Sequence, residues 1–365
     1  MKFTENDLEK ILKVEQLSFS NNTDLKSKFI NPSKGLWIKK AKWPFNAYSL
    51  LSKVSGINSF PEKKLKYWLL MFLGKRKAKQ VLGFFLRLPY FKTYDLPIIA
   101  DVYFNKYNFG ILLYINAITP RVLKFNLRNN LEYATKRLED EIKSQKIANE
   151  IKHKSIYTPR LKSVFSADGL FGFEQELIHA NDLGAFSSNR LREVFVEVFD
   201  FMFDFYKLSG VSLVSPKDNV FLGHDFVDNY LNQFDKGAEL IETFTSILSK
   251  NKKVFWGRTH GDLSLNNILI DKNQKTWIID WGKSKEQYLA KDLRNSNYEA
   301  NDLYLKIVDH FGFEKESVYS LQEQIFIEDY VELSRLVHNE IVRKTNVLSS
   351  DRVNSSLKRL FEIEL

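Results

Sequence analysis

Three oxygen-bearing side chains recur at a spacing that suits metal-assisted group transfer. Asp262 is followed five residues later by Asn267, and Asp280 lies eighteen residues after Asp262. They sit in Thr259-His260-Gly261-Asp262-Leu263-Ser264-Leu265-Asn266-Asn267-Ile268-Leu269-Ile270 and Trp277-Ile278-Ile279-Asp280-Trp281-Gly282. The apolar run after Asn267 and the run Thr276 to Ile279 predict two strands, and the polar Asp271-Lys272-Asn273-Gln274 between them predicts a hairpin turn. Such a hairpin brings Asp262, Asn267 and Asp280 to one end. Hard oxygen donors of this kind suit Mg²⁺, which keeps waters and substrate phosphates in its shell. An acid left free of the metal can accept a hydroxyl proton, which is what phosphoryl transfer needs. The plainer alternative, a polar hairpin opening with an Asx turn, leaves Asp280 unexplained.

The block resembles the aminoglycoside phosphotransferase and choline kinase family, small-molecule kinases of the protein-kinase-like fold. The family pattern is His-Gly-Asp, four residues, Asn, then Ile-Asp-Trp and a further Asp, here Asp292 in Ala290-Lys291-Asp292-Leu293. The resemblance implies that Asp262 is the catalytic base and that Asn267 and Asp280 hold magnesium against the ATP phosphates. It also implies that His260 braces the loop and that Asp292 is a structural acid.

The same resemblance makes demands upstream, where composition predicts strands at Leu96 to Phe104, Ile111 to Ile115 and Arg121 to Phe125, an antiparallel meander. A phosphate-reaching lysine on the third strand falls on Lys124, with a water-facing edge lysine as the alternative. Its helix partner falls on Glu141 in preference to Glu139, a solvated helix face being the alternative. Phe173 to Ile178 offers a hinge whose backbone at Glu176 to Ile178 would bind the adenine edge. Asn105 to Gly110 would cover the phosphates, although Gly110 is its only glycine and no GxGxxG occurs. The expected fold is α+β, a two-lobed protein-kinase-like fold with a mostly helical N-terminal extension. Its domains are a basic, aromatic-rich accessory region at 1–95, a β-rich nucleotide-binding lobe at 96–178 and a helical catalytic lobe at 179–365.

The chain of 365 residues contains no cysteine, which removes disulfides, thiolate metal sites and cysteine nucleophiles. The six histidines have no metal-ligand spacing, and no Gly-x-Ser-x-Gly elbow supports acyl transfer. Ser209 to Leu222 mimics a kinase catalytic loop in rhythm, but it lacks the His and the base and is read as a loop and strand. The opening MKFTENDLEKILKV carries acids where a signal peptide needs a charged and then apolar pattern, so a cytoplasmic protein is expected. The net charge is +9, and residues 61–92 hold nine basic residues against the single acid Glu62, interleaved with aromatic and aliphatic residues. That segment fits either a helical hairpin packed on its own protein or a peripheral contact with an anionic membrane; nucleic acid has no supporting motif.

The expected activity is ATP- and Mg-dependent transfer of the γ-phosphate to a hydroxyl of a sugar, glycoconjugate or small amino-alcohol, with a membrane-associated surface glycan among the acceptors. The alternatives are an aminoglycoside-type antibiotic phosphotransferase and a non-catalytic pseudokinase scaffold. An antibiotic site would need an acidic pocket, for which Asp329, Glu332 and Glu340 are candidate acids.

Overall fold

The computed structural model describes residues 5–18, 27–33, 36–39, 93–96, 98–106, 109–115, 117–127, 131–167, 169–178, 180–182, 188–219, 221, 226–271, 273–294, 300–342 and 351–363. The basic segment 61–92 lies outside the described residues, as do 107–108 at the tip of the Asn105 to Gly110 turn. The fold is α+β. It divides into two compact units, Met1–Phe186 with Leu265–Gly282, and Ser187–Ser264 with Lys283–Leu365.

The first unit is built on an eight-stranded sheet in the order β3-β1-β2-β4-β5-β6-β9-β8. Its strands are β1 (Ser27–Ser33), β2 (Leu36–Lys39), β3 (Thr93–Leu96), β4 (Val102–Lys106), β5 (Phe109–Tyr114), β6 (Arg121–Asn126), β8 (Leu161–Ala167) and β9 (Leu170–Glu176), all neighbours antiparallel. The meander read from 96–125 is β4-β5-β6. Asn31-Pro32, a loop signal in the sequence, falls inside β1 where the register with β2 shifts between Ile30 and Ser33. An irregularity of that kind accommodates a residue that cannot donate to the ladder.

Period-two alternation decides what each strand shows to each face. On β6, Leu123 and Phe125 join Phe29, Trp37, Tyr103 and Leu112 in a core sealed by Ile11 and Val14 of helix α1 (Glu5–Ser18). Lys124, between them, is thereby turned to the opposite face, where helix α2 (Leu131–Glu150) packs Ala134, Leu138 and Ile142 against Phe109 and Phe173. Helix α1 is also fastened by a buried carboxylate. Glu15 accepts the N–H groups of Ile99 and Ala100 at 2.9 and 2.8 Å and the Tyr114 hydroxyl at 3.1 Å.

A second sheet in this unit orders β10 (Ala180–Asp182), β13 (Ile268–Asp271), β14 (Thr276–Ile278) and β7 (Ile156–Tyr157). Strands β13 and β14 form the expected hairpin, Ile268 opposite Ile278. Asp271 closes its turn by accepting the N–H groups of Asn273 and Lys275 and the Trp277 indole N–H.

The second unit is mainly helical. It comprises α3 (Ser188–Ser209), α4 (Phe226–Leu231), α5 (Gly237–Ser249), α6 (Ala290–Leu293), α7 (Ala300–Phe311), α8 (Leu321–Val342) and α9 (Asp351–Phe361). One antiparallel sheet, β11 (Val211–Val214), β12 (Val254–Thr259) and β15 (Lys285–Tyr288), lies among them. Phe244, Phe326, Ile327, Tyr330, Leu333 and Val337 are prominent in its core. Among the described residues no helix is long and apolar enough to cross a membrane.

Candidate active site

In the first unit a buried ion pair marks a candidate nucleotide site. The α2-facing position of Lys124 sets its ammonium 2.5 Å from Glu141 Oε2, with the two side chains 12% and 5% exposed. Glu139, the other glutamate considered, is exposed. Burial raises the Glu141 carboxyl above its ordinary pKa; the Lys124 charge works against this, and the Asp280 carboxylate adds to it. Asp280 therefore stands near the pair. Gly282 marks the spot: a Cβ built there would lie 2.9 Å from Lys124 Nζ and 3.1 Å from Asp280 Oδ1, so the ammonium and the carboxylate flank one small gap. Arg137, one helical turn before Glu141, donates to the Gly282 carbonyl at 2.8 Å and with Lys124 lies over the Phe109 ring.

The β13–β14 hairpin positions the two oxygen donors. Asn267 immediately precedes β13 and Asp280 follows β14, and the Ile279 N–H donates to the Asn267 carbonyl at 2.9 Å. Both residues are thus at the open end of one hairpin. Asp280 has a positive φ of 61°, which non-glycine residues adopt at a cost, and the residue is exposed. An amide oxygen and a carboxylate are hard donors, and Mg²⁺ bound through one or two such groups completes its shell with water and phosphate oxygens. The donor set fits that ion. Among the described residues no group of three or more acids or histidines is gathered for a metal.

The remaining expected nucleotide contacts are also in this unit. Glu176 ends β9, and the Glu176 and Leu177 N–H groups are committed to the Arg160 and Pro120 carbonyls at 3.0 and 3.2 Å. Ile178 follows directly. Gly110 lies within β5 opposite Asn105, and a Cβ there would meet the Phe125 ring at 2.4 Å, so close packing accounts for this glycine.

The second unit holds Asp262 at the end of a tightly braced loop. Asp292, fully buried on α6, accepts the His260 and Gly261 N–H groups, both at 2.7 Å, and the Tyr206 hydroxyl at 3.1 Å. Burial raises its pKa, while the nearby His260 and these donors pull the other way. His260 Nδ1 in turn accepts the Asp262 N–H at 3.3 Å. Gly261 has φ +80°, and a Cβ on it would fall 2.3 Å from the Lys283 carbonyl oxygen, so only glycine fits. The Ser284 hydroxyl donates to the Thr259 carbonyl and Gln287 Nε2 donates to Thr259 Oγ1 at 2.6 Å, which fastens β15 to the loop. Asp262 itself is a third exposed and pairs with Lys283 Nζ at 2.8 Å.

The structure thus brings together Lys124, Glu141 and Asp280, and separately Asn267 with Asp280; Asp262 belongs to the other unit with His260 and Asp292. Sequence reading missed Arg137 and Lys283. For Arg137 the available signal was its i, i+4 spacing from Glu141 on one helix face. For Lys283 it was position alone, three residues beyond Asp280.

The family model of the RIO domain matches residues 222–309, a span that contains the whole His260 to Asp292 block. RIO domains belong to the protein-kinase-like superfamily. The chain is similar to kinase-like phosphotransferases. Similar solved structures include a thermostable mutant of aminoglycoside phosphotransferase APH(4)-Ia in its apo form, at 12% identity and TM-score 0.45, covering 71% of this chain and 91% of that one. Macrolide 2'-phosphotransferase type I follows at 13% identity and TM-score 0.41, covering 70% and 89%. The streptomycin–ATP–APH(2")-IIa ternary complex stands at 14% and 0.42, covering 71% and 90%. No curated protein matches this chain in sequence.

Proposed function

We propose that this chain is a kinase that transfers the γ-phosphate of ATP to a hydroxyl of a sugar, glycoconjugate or small amino-alcohol. The observation that carries the reading is the buried Lys124–Glu141 pair at 2.5 Å beside Asp280. A lysine oriented in this way by a helix glutamate is the arrangement that grips the α- and β-phosphates. Asn267 and Asp280 would hold Mg²⁺, which when bound neutralises charge on the transferring phosphate. The backbone of Glu176 and Ile178 would receive the adenine edge, and the Asn105 to Gly110 end of the β4–β5 hairpin would cover the phosphates.

Asp262 serves as the base. Its carboxylate takes the proton of the acceptor hydroxyl as the acceptor oxygen bonds to the γ-phosphorus, and the bond from that phosphorus to the bridging oxygen breaks to release ADP. The Asp292 braces hold the Asp262 loop in one geometry, so positioning comes before substrate arrives. The basic segment 61–92 supports an acceptor held at an anionic membrane surface, in a cytoplasmic, peripherally bound protein.

The reading is tested by transfer from γ-labelled ATP into fractionated extract of the source cell, with Asp262→Asn as control. Asp262-dependent label in a membrane or glycan fraction supports the surface acceptor; label in a soluble compound moves the acceptor to small metabolites. No Asp262-dependent label in any fraction overturns the kinase reading in favour of a scaffold.

A further inference from the structure

The charges around the Asp262 loop are unbalanced. Strand β15 leaves the loop with Lys283 against Asp262, and two residues later Lys285 is paired in register with Thr259. Strand alternation places Lys285 on the same face as Gln287, whose amide reaches Thr259 and stands 3.0 Å from the Cβ position of Gly261. That face is therefore the one turned to the loop that carries Asp262.

The acids in this neighbourhood are already engaged. Asp329 is held by Arg294 at 2.5 Å and Arg359 at 3.3 Å. Glu332 is held by Lys291 at 3.1 Å and Arg335 at 2.8 Å. Glu328 lies 3.4 Å from Lys291 and 4.0 Å from Arg294. Four cations, Lys291, Arg294, Arg335 and Arg359, thus already engage these three carboxylates, and Lys285 is a fifth positive charge within electrostatic reach of Glu328 and Glu332. The excess falls on Lys285: among the described residues no carboxylate oxygen comes within 4 Å of its ammonium. Arg335 is 38% exposed, and Lys285 retains an exposed face.

We propose, resting on the kinase reading above, that the acceptor carries an anionic group, a carboxylate or phosphate, which docks on Lys285 and Arg335 beside Asp262. The Lys285 ammonium is held below the ordinary lysine pKa, first by partial desolvation and then by Arg335 and Lys291, against the opposing pull of Glu328 and Glu332. A bound anion relieves that repulsion. A polycationic antibiotic meets the reverse, because Asp329 and Glu332 are spent on arginines and lysine.

The probe is inorganic sulfate, titrated at constant ionic strength into full-length protein carrying ¹³C-labelled lysines and saturated with AMP-PNP and Mg²⁺. The Lys285 resonance is assigned through Lys285→Arg. The expected result is a saturable shift of that resonance, with its half-point raised about tenfold or more, equivalent to about 1.4 kcal/mol, in Arg335→Gln. A second readout is the sulfate-dependent rise in Tm, which should be lost in Lys285→Gln, a change at an exposed strand position. No saturable shift, or an unchanged half-point in Arg335→Gln, overturns the proposal. A shift seen without nucleotide and abolished by AMP-PNP also overturns it, by assigning these cations to the nucleotide's phosphates. Failure of the kinase reading is seen separately, as absence of AMP-PNP binding or of Asp262-dependent ATP turnover in the wild type.

Discussion

Glu141→Gln is the perturbation that most sharply separates what the Lys124–Glu141 pair does for the fold from what it does for chemistry. At 2.5 Å the two charges attract by about 6–7 kcal/mol at an effective dielectric of about 20. Desolvation of the two nearly buried groups offsets most of this, so the intact pair adds little net stability. Removing one partner is different: it leaves a buried ammonium facing an amide, at a cost of about 3–5 kcal/mol. Lys124→Met should cost a similar amount by leaving the carboxylate stranded beside Asp280. The double variant Lys124→Met with Glu141→Leu should be less destabilised than either single change, because no orphan charge remains. Native-state hydrogen exchange at the amides of β6 and α2 reads this locally, without assuming that the two units unfold together. ATP turnover should fall at least about a hundredfold in all three proteins, including the double variant. Single changes that move exchange by less than about 0.5 kcal/mol, or a double variant as costly as the sum of the singles, would refute the reasoning.

Three further outcomes are expected. Lys283→Gln should lower kcat by about tenfold or more with the KM for ATP nearly unchanged, and Lys283→Arg should restore part of it; stability should move by no more than about 1 kcal/mol, since the pair with Asp262 is exposed on both sides. Gly261→Ala should cost about 2–3 kcal/mol in urea unfolding of the second unit and most of the turnover, through the left-handed φ and the collision with the Lys283 carbonyl. Glu332 is the group to follow in an acid titration. Burial acts to raise its pKa, but Lys291 and Arg335 overcome it and hold the group down to about 2, against 4.5 when unpaired. A depressed carboxylate stabilises the fold above about pH 4.5 and loses that contribution as pH falls towards 2. Glu332→Gln should therefore flatten acid unfolding in that window by up to about 3 kcal/mol.

The parts of the site visible in the sequence are those fixed by local spacing. Asn267 and Asp280 meet because a four-residue polar turn between two apolar runs leaves few other registers for the hairpin. Lys124 was legible only through the resemblance, as the lysine on the third predicted strand, and strand alternation sets it on the face opposite Leu123 and Phe125. The choice between Glu139 and Glu141 required the rotation of α2 about its axis, which a helix rich in charge on several faces does not reveal. Arg137 and Lys283 depend on backbone geometry after Asp280, a left-handed residue followed by a 3₁₀ turn, which residue types there do not announce. Strand β1 was hidden by Asn31-Pro32, where tertiary pairing on both sides overrides a local turn signal.

The proposed function assigns nucleotide binding to Lys124, Asn267 and Asp280 and the acceptor's proton to Asp262. Its most direct test compares AMP-PNP binding and γ-phosphate transfer in Asp262→Asn. The account predicts unchanged AMP-PNP affinity with transfer reduced by about 10²–10⁴-fold, the span expected for loss of a positioned general base. Transfer that survives the substitution, or nucleotide binding that disappears with it, would contradict the account.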